Sequence, residues 1–207
     1  VIRANEISNG ASGALSMAKS TDQWAERFDM SAEQVFKSFW AFFLAIPAHL
    51  VAVEGTRRLI VNEPTFQGSV AGPGVTAFTE TSVFLIAWGV ELALLVSLAN
   101  RRGVGWRISP LIIGYNWSVF LSRMAQGLAL AAAILIKMPI IATMGILVAG
   151  FFSIWLQWGV LRRSLQTTPL GTVGVMGLLV IVYFGISTLM MALYQIVGIV
   201  PAPVVPQ

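Results

Sequence analysis

Residues 109–136 read SPLIIGYNWSVFLSRMAQGLALAAAILI, an apolar run opened by a proline that carries Tyr115, Asn116, Trp117, Arg123 and Gln126 among aliphatic neighbours. From Pro110 to Ile136 the run is 27 residues long. As a helix that is about 40 Å, against the ~30 Å of a bilayer's hydrocarbon core. Such a run crosses a membrane, and its polar side chains must find partners inside a bundle rather than in lipid. Ser109 is expected to cap the helix, with Pro110 at the first helical position, where its missing N–H costs nothing.

Four further apolar runs flank this one, so the expected fold is all-α: a polytopic transmembrane bundle with spans at about 35–53, 77–98, 110–136, 140–161 and 170–196. Composition agrees, with 57% hydrophobic and 11% charged residues among 207 and a mean hydropathy of +0.79, outside the range of soluble domains. Residues 1–30 form a polar N-terminal region without the basic, apolar and small-residue succession of a signal peptide. Leu15, Ala18, Trp24 and Phe28 there could share one side of a short interfacial helix, or the region could be a loosely ordered tail. Residues 31–198 make the transmembrane domain and 199–207 a short tail.

Ser31 with Gln34 is a capping box at the start of the first span. Along that span Ser38, Ala41, Ala45, Ala48 and Ala52 recur at steps of three and four, a stripe small enough for a second backbone to approach, and Pro47 is expected to kink it. Gly55–Thr76 reads as a loop, with a Gly72-Pro73-Gly74 turn. In the fourth span Thr143, Gly150 and Gln157 stand at heptad steps beside Ser153, which predicts an interior stripe. Gly171, Gly174, Gly177 and Gly185 mark expected close approaches in the fifth. The Gly171–Gly177 run lacks the strand and lysine of a phosphate loop, so helix packing is the better reading of it.

Basic residues set the orientation. With five spans and the N-terminus inside, nine lie in cytoplasmic segments (Arg3, Lys19, Arg27, Lys37, Arg101, Arg102, Arg107, Arg162 and Arg163) and three outside (Arg57, Arg58 and Lys137). That asymmetry predicts a cytoplasmic N-terminus and an exterior C-terminus, in a bacterial inner membrane. The net charge of +4 is explained by these short loops rather than by nucleic-acid binding. With no cysteine and a single histidine, His49, neither a metal site nor another cofactor is expected.

Two charges stand out inside the spans. Glu91 lies seven residues before the end of the second span, and Arg123 lies at similar depth in the third. They either pair inside the bundle, with Asn116, Gln126 and Gln157 in one polar cluster, or Arg123 snorkels to the cytoplasmic surface. An eleven-residue loop would make their two helices antiparallel neighbours.

Phe39-Trp40 with Pro47 in the first span and Tyr115-Asn116-Trp117 in the third resemble the pattern of small bacterial relatives of the Yip1-like membrane proteins, over roughly residues 28–196. The resemblance implies a five-span fold more than an activity. No catalytic set of residues occurs, so the expectation is a non-enzymatic accessory or scaffold component of a larger membrane assembly, with membrane lipids and other integral membrane proteins as partners. The alternative is a small channel or transporter that uses the Glu91 and Arg123 cluster.

Overall fold

The structure, a computed structural model, describes residues 2–21, 23–63, 70–136 and 138–200. All regular structure there is helical: α1 Ala4–Ala18, α2 Trp24–Arg27, α3 Ala32–Ser38, α4 Trp40–Val61, α5 Pro73–Arg101, α6 Ile108–Ile136, α7 Pro139–Ser164 and α8 Pro169–Ile196. Five stretches are long and apolar enough to cross a membrane: Ala32–Val61, which joins α3 and α4, then Pro73–Arg101, Gly105–Ile136, Ile140–Ser164 and Pro169–Ile196. The protein is a multi-pass helical membrane bundle of about five spans.

The helices outrun the apolar windows for identifiable reasons. Gly55–Val61 continues α4 instead of opening a loop, because Glu54 bonds Arg57 at 2.8 Å and Arg58 at 2.7 Å across single turns and so carries the charges on the helix. Pro73 is no turn residue but the first position of α5. Ser109 does not cap α6: a single 3-10 turn, Gly105–Arg107, feeds directly into the helix, so Ser109 and Pro110 both lie in its first turn. Thr168, which carries no capping box, caps α8 by accepting from the Gly171 N–H at 3.1 Å. At Ser31 half of the expected box forms: its hydroxyl accepts from the Gln34 N–H, while its own N–H donates to Asp29 Oδ1 at 2.9 Å instead of to the Gln34 side chain. Pro139 opens α7 with Met138 as the residue before it, and Lys137 and the tail beyond Val200 lie outside the described residues.

α6 is the centre of the bundle. It packs most extensively on α7 and α4, and only narrowly on α5, whose larger neighbours are α8 and α4. A short loop thus leaves α5 and α6 in limited contact. Against α4 the approach is close because both faces are small. Ala41 and Ala45 are fully buried, Ala52 nearly so, and a side chain on Gly127 would meet the Ala48 carbonyl oxygen at 2.6 Å. Against α7 the contact face is Ala142, Gly145 and Ala149, with a Cβ on Gly145 falling 2.9 Å from that of Ala129. This face lies one residue round from Thr143, Gly150 and Gln157, so that stripe is not the packing surface. Thr143 is exposed, and nothing lies within 4 Å of where a Gly150 side chain would begin. Gly174, Gly177 and Gly185 likewise meet nothing within 4 Å, which corrects their reading as close-approach positions.

The N-terminal region neither floats nor lies flat on an interface. α1 docks into one end of the bundle against α6 and α7. Gly10 lies flat on the Trp117 indole, the Gly159 position would place a Cβ 2.3 Å from the Ala18 Cα, and Met17 fills the space left by Gly114. Trp117, Met17 and Ala14 are completely buried as a result. Polar contacts hold the same helix: Lys37 to Glu6 at 2.7 Å, Arg27 to the Ser12 hydroxyl at 3.0 Å, and Arg163 to the Thr21 carbonyl at 3.3 Å.

Candidate functional site

α5 carries two carboxylates, Glu80 and Glu91, eleven residues apart. Eleven residues make three turns plus about 20°, so both lie on one face, separated by about 16 Å along the axis. Phe84 stands between them and is the hub of an aromatic stack. Phe42 from α4 lies over it at 4.7 Å and over Trp88 at 4.5 Å, while His49 stacks on it at 4.6 Å. The Arg123 guanidinium of α6 sits 4.4 Å from the same ring, a cation–π contact within the hydrocarbon span.

Two cavities meet at Arg123. The smaller, about 210 Å³, is walled by Glu91, Tyr115, Ser122, Arg123, Gln126, Ser153, Gln157 and Tyr183 together with Phe84 and Trp88. The larger, about 700 Å³, runs past His49, Thr79 and Glu80 to Arg57, Ile60 and Ala71, at the end of the bundle opposite α1. Arg123, Gln126 and Tyr183 line both. Together they form a polar seam from that end to the Glu91 chamber. Beyond Glu91 the core is dry: Leu92, Leu95, Ala99, Leu111 and Ile113 pack there with α1 across the end.

Within the seam the expected pair does not form. No oxygen of Glu91 lies within 4.0 Å of an Arg123 nitrogen, and the Glu91 carboxylate accepts from the Tyr115 hydroxyl instead. Arg123 does not snorkel either. It donates to Gln126 Oε1 at 3.0 Å, one turn further from the α1 end, and stays over Phe84 inside the bundle. Of the five residues assigned to one cluster, Glu91, Arg123, Gln126 and Gln157 do share the smaller cavity. Asn116 does not. Fully buried, it accepts from Trp88 Nε1 at 3.0 Å and donates to Ser38 Oγ at 2.9 Å, which ties α3, α5 and α6 together behind the cavity wall.

Sequence reasoning passed over Glu80, Tyr183 and Ser122. The eleven-residue step from Glu80 to Glu91 was the available signal, since a same-face repeat of carboxylates in an apolar helix is rarely tolerated without a lined cavity. Tyr183 on α8 gave no such signal, because only the packing brings it to Arg123, and Ser122, although next to Arg123 in the chain, is one small hydroxyl among several in the spans. His49 lies near the middle of α4, which runs twelve residues beyond it. Both its ring nitrogens are buried without a hydrogen-bond partner, and so is the Ser122 hydroxyl. Among the described residues no group of three or more histidine and acidic side chains converges as a metal site would require.

Comparison with family models, with curated proteins and with solved structures gives no match for this chain.

Proposed function

We propose that the protein is a non-enzymatic solute-binding membrane protein of the channel or transporter kind, with its pathway along the seam lined by α4, α5, α6, α7 and α8. The observation that carries this reading is Arg123. A guanidinium held among the spans costs at least ~2.5 kcal/mol on insertion scales. It has no carboxylate within 4.0 Å, yet it stands where two lined cavities meet and has a carboxylate in each. A purely structural arginine would be expected to pair. An arginine left without a carboxylate partner beside open volume is placed to meet something that comes and goes. The seam reaches one end of the bundle only, as alternating access requires of a single state. On the positive-inside expectation that end is exterior, which the excess of basic residues at the α1 end supports.

Flux into proteoliposomes tests this. Wild-type protein should move small charged or zwitterionic solutes, or protons, above the rate of empty vesicles, and Arg123→Gln should reduce that flux at least tenfold. A wild-type rate equal to that of empty vesicles overturns the reading.

A second reading, an accessory subunit of a larger assembly, is favoured by α8. Its glycines at 174, 177 and 185 face open space, and Leu170, Ile181, Phe184 and Ile196 are widely exposed beside them. Lipid alone could cover that face, and so could the helix of a partner. Extraction in mild detergent decides, since an accessory subunit co-elutes with other chains whereas a solitary carrier does not. The likeness to Yip1-like proteins adds to neither reading beyond a five-span fold.

A further inference from the structure

The chamber of about 210 Å³ contains one anion and one cation that do not touch: Glu91 at one side, held by Tyr115, and Arg123 at the other, held by Gln126 and Phe84. Around them are polar groups with bonding capacity to spare. The Ser122 hydroxyl lines the chamber, is more than nine-tenths buried, and has no partner. The Gln157 carboxamide lines it too. Phe84, Trp88 and Val119 supply an apolar wall between the charges. We propose that this chamber is a binding site for a small zwitterion of the amino-acid or betaine class, its carboxylate on Arg123 and Gln126 and its ammonium group on Glu91.

The argument is one of charge balance in a poorly hydrated space. Separated from one another, Glu91 and Arg123 each leave a charge to be compensated, and their sum in the chamber is zero. A simple anion would satisfy Arg123 and leave Glu91 facing more negative charge; a simple cation would do the reverse. A ligand with both charges on a short frame compensates the two at once and brings no net charge into the span. Glu80, the other carboxylate near Arg123, lies in the larger cavity that reaches the bundle end. It stands where an approaching ammonium group would first be met. The same chemistry occurs in an aminophospholipid headgroup. Glu91 is ten residues from the end of α5, about 15 Å deep, so a free solute is the better fit.

This inference rests on the reading of the seam as a solute site, and calorimetry on the purified full-length protein in mild detergent tests it separately from flux. The probes are glycine, L-alanine and glycine betaine, with propionate and ethylamine as single-charge halves and dihexanoyl phosphatidylethanolamine as the headgroup source. At least one zwitterion should bind tenfold or more tightly than either half. Glu91→Gln and Arg123→Gln should each weaken it at least tenfold, and Glu80→Gln less than threefold. Should those two variants fail to fold, Gln157→Leu serves in their place and should also weaken binding. Binding of the phosphatidylethanolamine alone keeps the zwitterion chemistry and assigns its source to lipid. Equal binding of the halves, or no saturable binding of any zwitterion, overturns the proposal. Zwitterion binding without vesicle flux would retain the site and remove the transport reading, whereas proton flux without zwitterion binding would do the opposite.

Discussion

Asn116 shows how a single polar residue in an apolar helix can be structural while its neighbours line a cavity. Its carboxamide is used on both sides, as acceptor for the Trp88 indole and as donor to the Ser38 hydroxyl, with no volume beside it. Replacement by alanine strands both partners. Asn116→Ala should therefore lower stability by about 1–2 kcal/mol, the range of interhelical hydrogen bonds in model membrane peptides. Unfolding monitored by tryptophan fluorescence would show it. Ser118→Ala, which loses only a bond to the Tyr115 carbonyl within the same helix, serves as the reference, and equal losses would show that the Asn116 links carry no weight. Depth and residue type pointed to Asn116 and Glu91 alike in the sequence. What separated them is rotation: the 100° step per residue puts Asn116 toward α3 and Tyr115 toward Glu91.

At the scale of the element, α1 depends on one ion pair at its start and on glycine contacts along its length. The Glu6 carboxyl is held below its ordinary value near 4.5, first by the hydrogen bond from Lys37 and then by the Arg3 backbone N–H. A carboxyl whose folded value is depressed contributes in full above its unfolded value, and the contribution is lost as pH falls through the folded one. Docking of α1 should therefore be insensitive to pH near neutrality and weaken below about 4.5, where the unfolded carboxyl takes up its proton. Trp117, buried under Gly10, is the natural reporter. Its emission should shift to the red in acid, and Glu6→Gln should show a smaller shift over the same range. An identical acid response in that variant would assign the transition to another group. This docking was hard to read from the sequence, because Gly10 and Gly13 look like linker residues until Trp117 and Phe28 are seen to occupy the space a Cβ would need. The alanine stripe of α4 was legible, since its spacing of three and four fixes one face whatever packs on it. The glycines of α8 have similar spacing and pack on nothing, so small-residue spacing marks a permitted approach and not a realised one.

For the whole molecule, the five spans followed from run length, and the errors lay at their ends, where Glu54 with Arg57 and Arg58 or a 3-10 turn extended helices past the apolar window. Orientation rests on nine basic residues against three. A reporter fused after Gln207 should behave as exterior and one inserted near Arg102 as cytoplasmic. Opposite labelling at either site rejects that orientation and places the open end of the seam on the other side. One consequence follows from the seat of α1. The surfaces that receive it, around Gly114 on α6 and Gly159 on α7, are made by the ribosome more than a hundred residues after Gly10 itself. α1 is thus made well before the surfaces that receive it. Its docking can be completed only once α7, the fourth of the candidate spans, has been made, which ties the seating of an early helix to the completion of a late one.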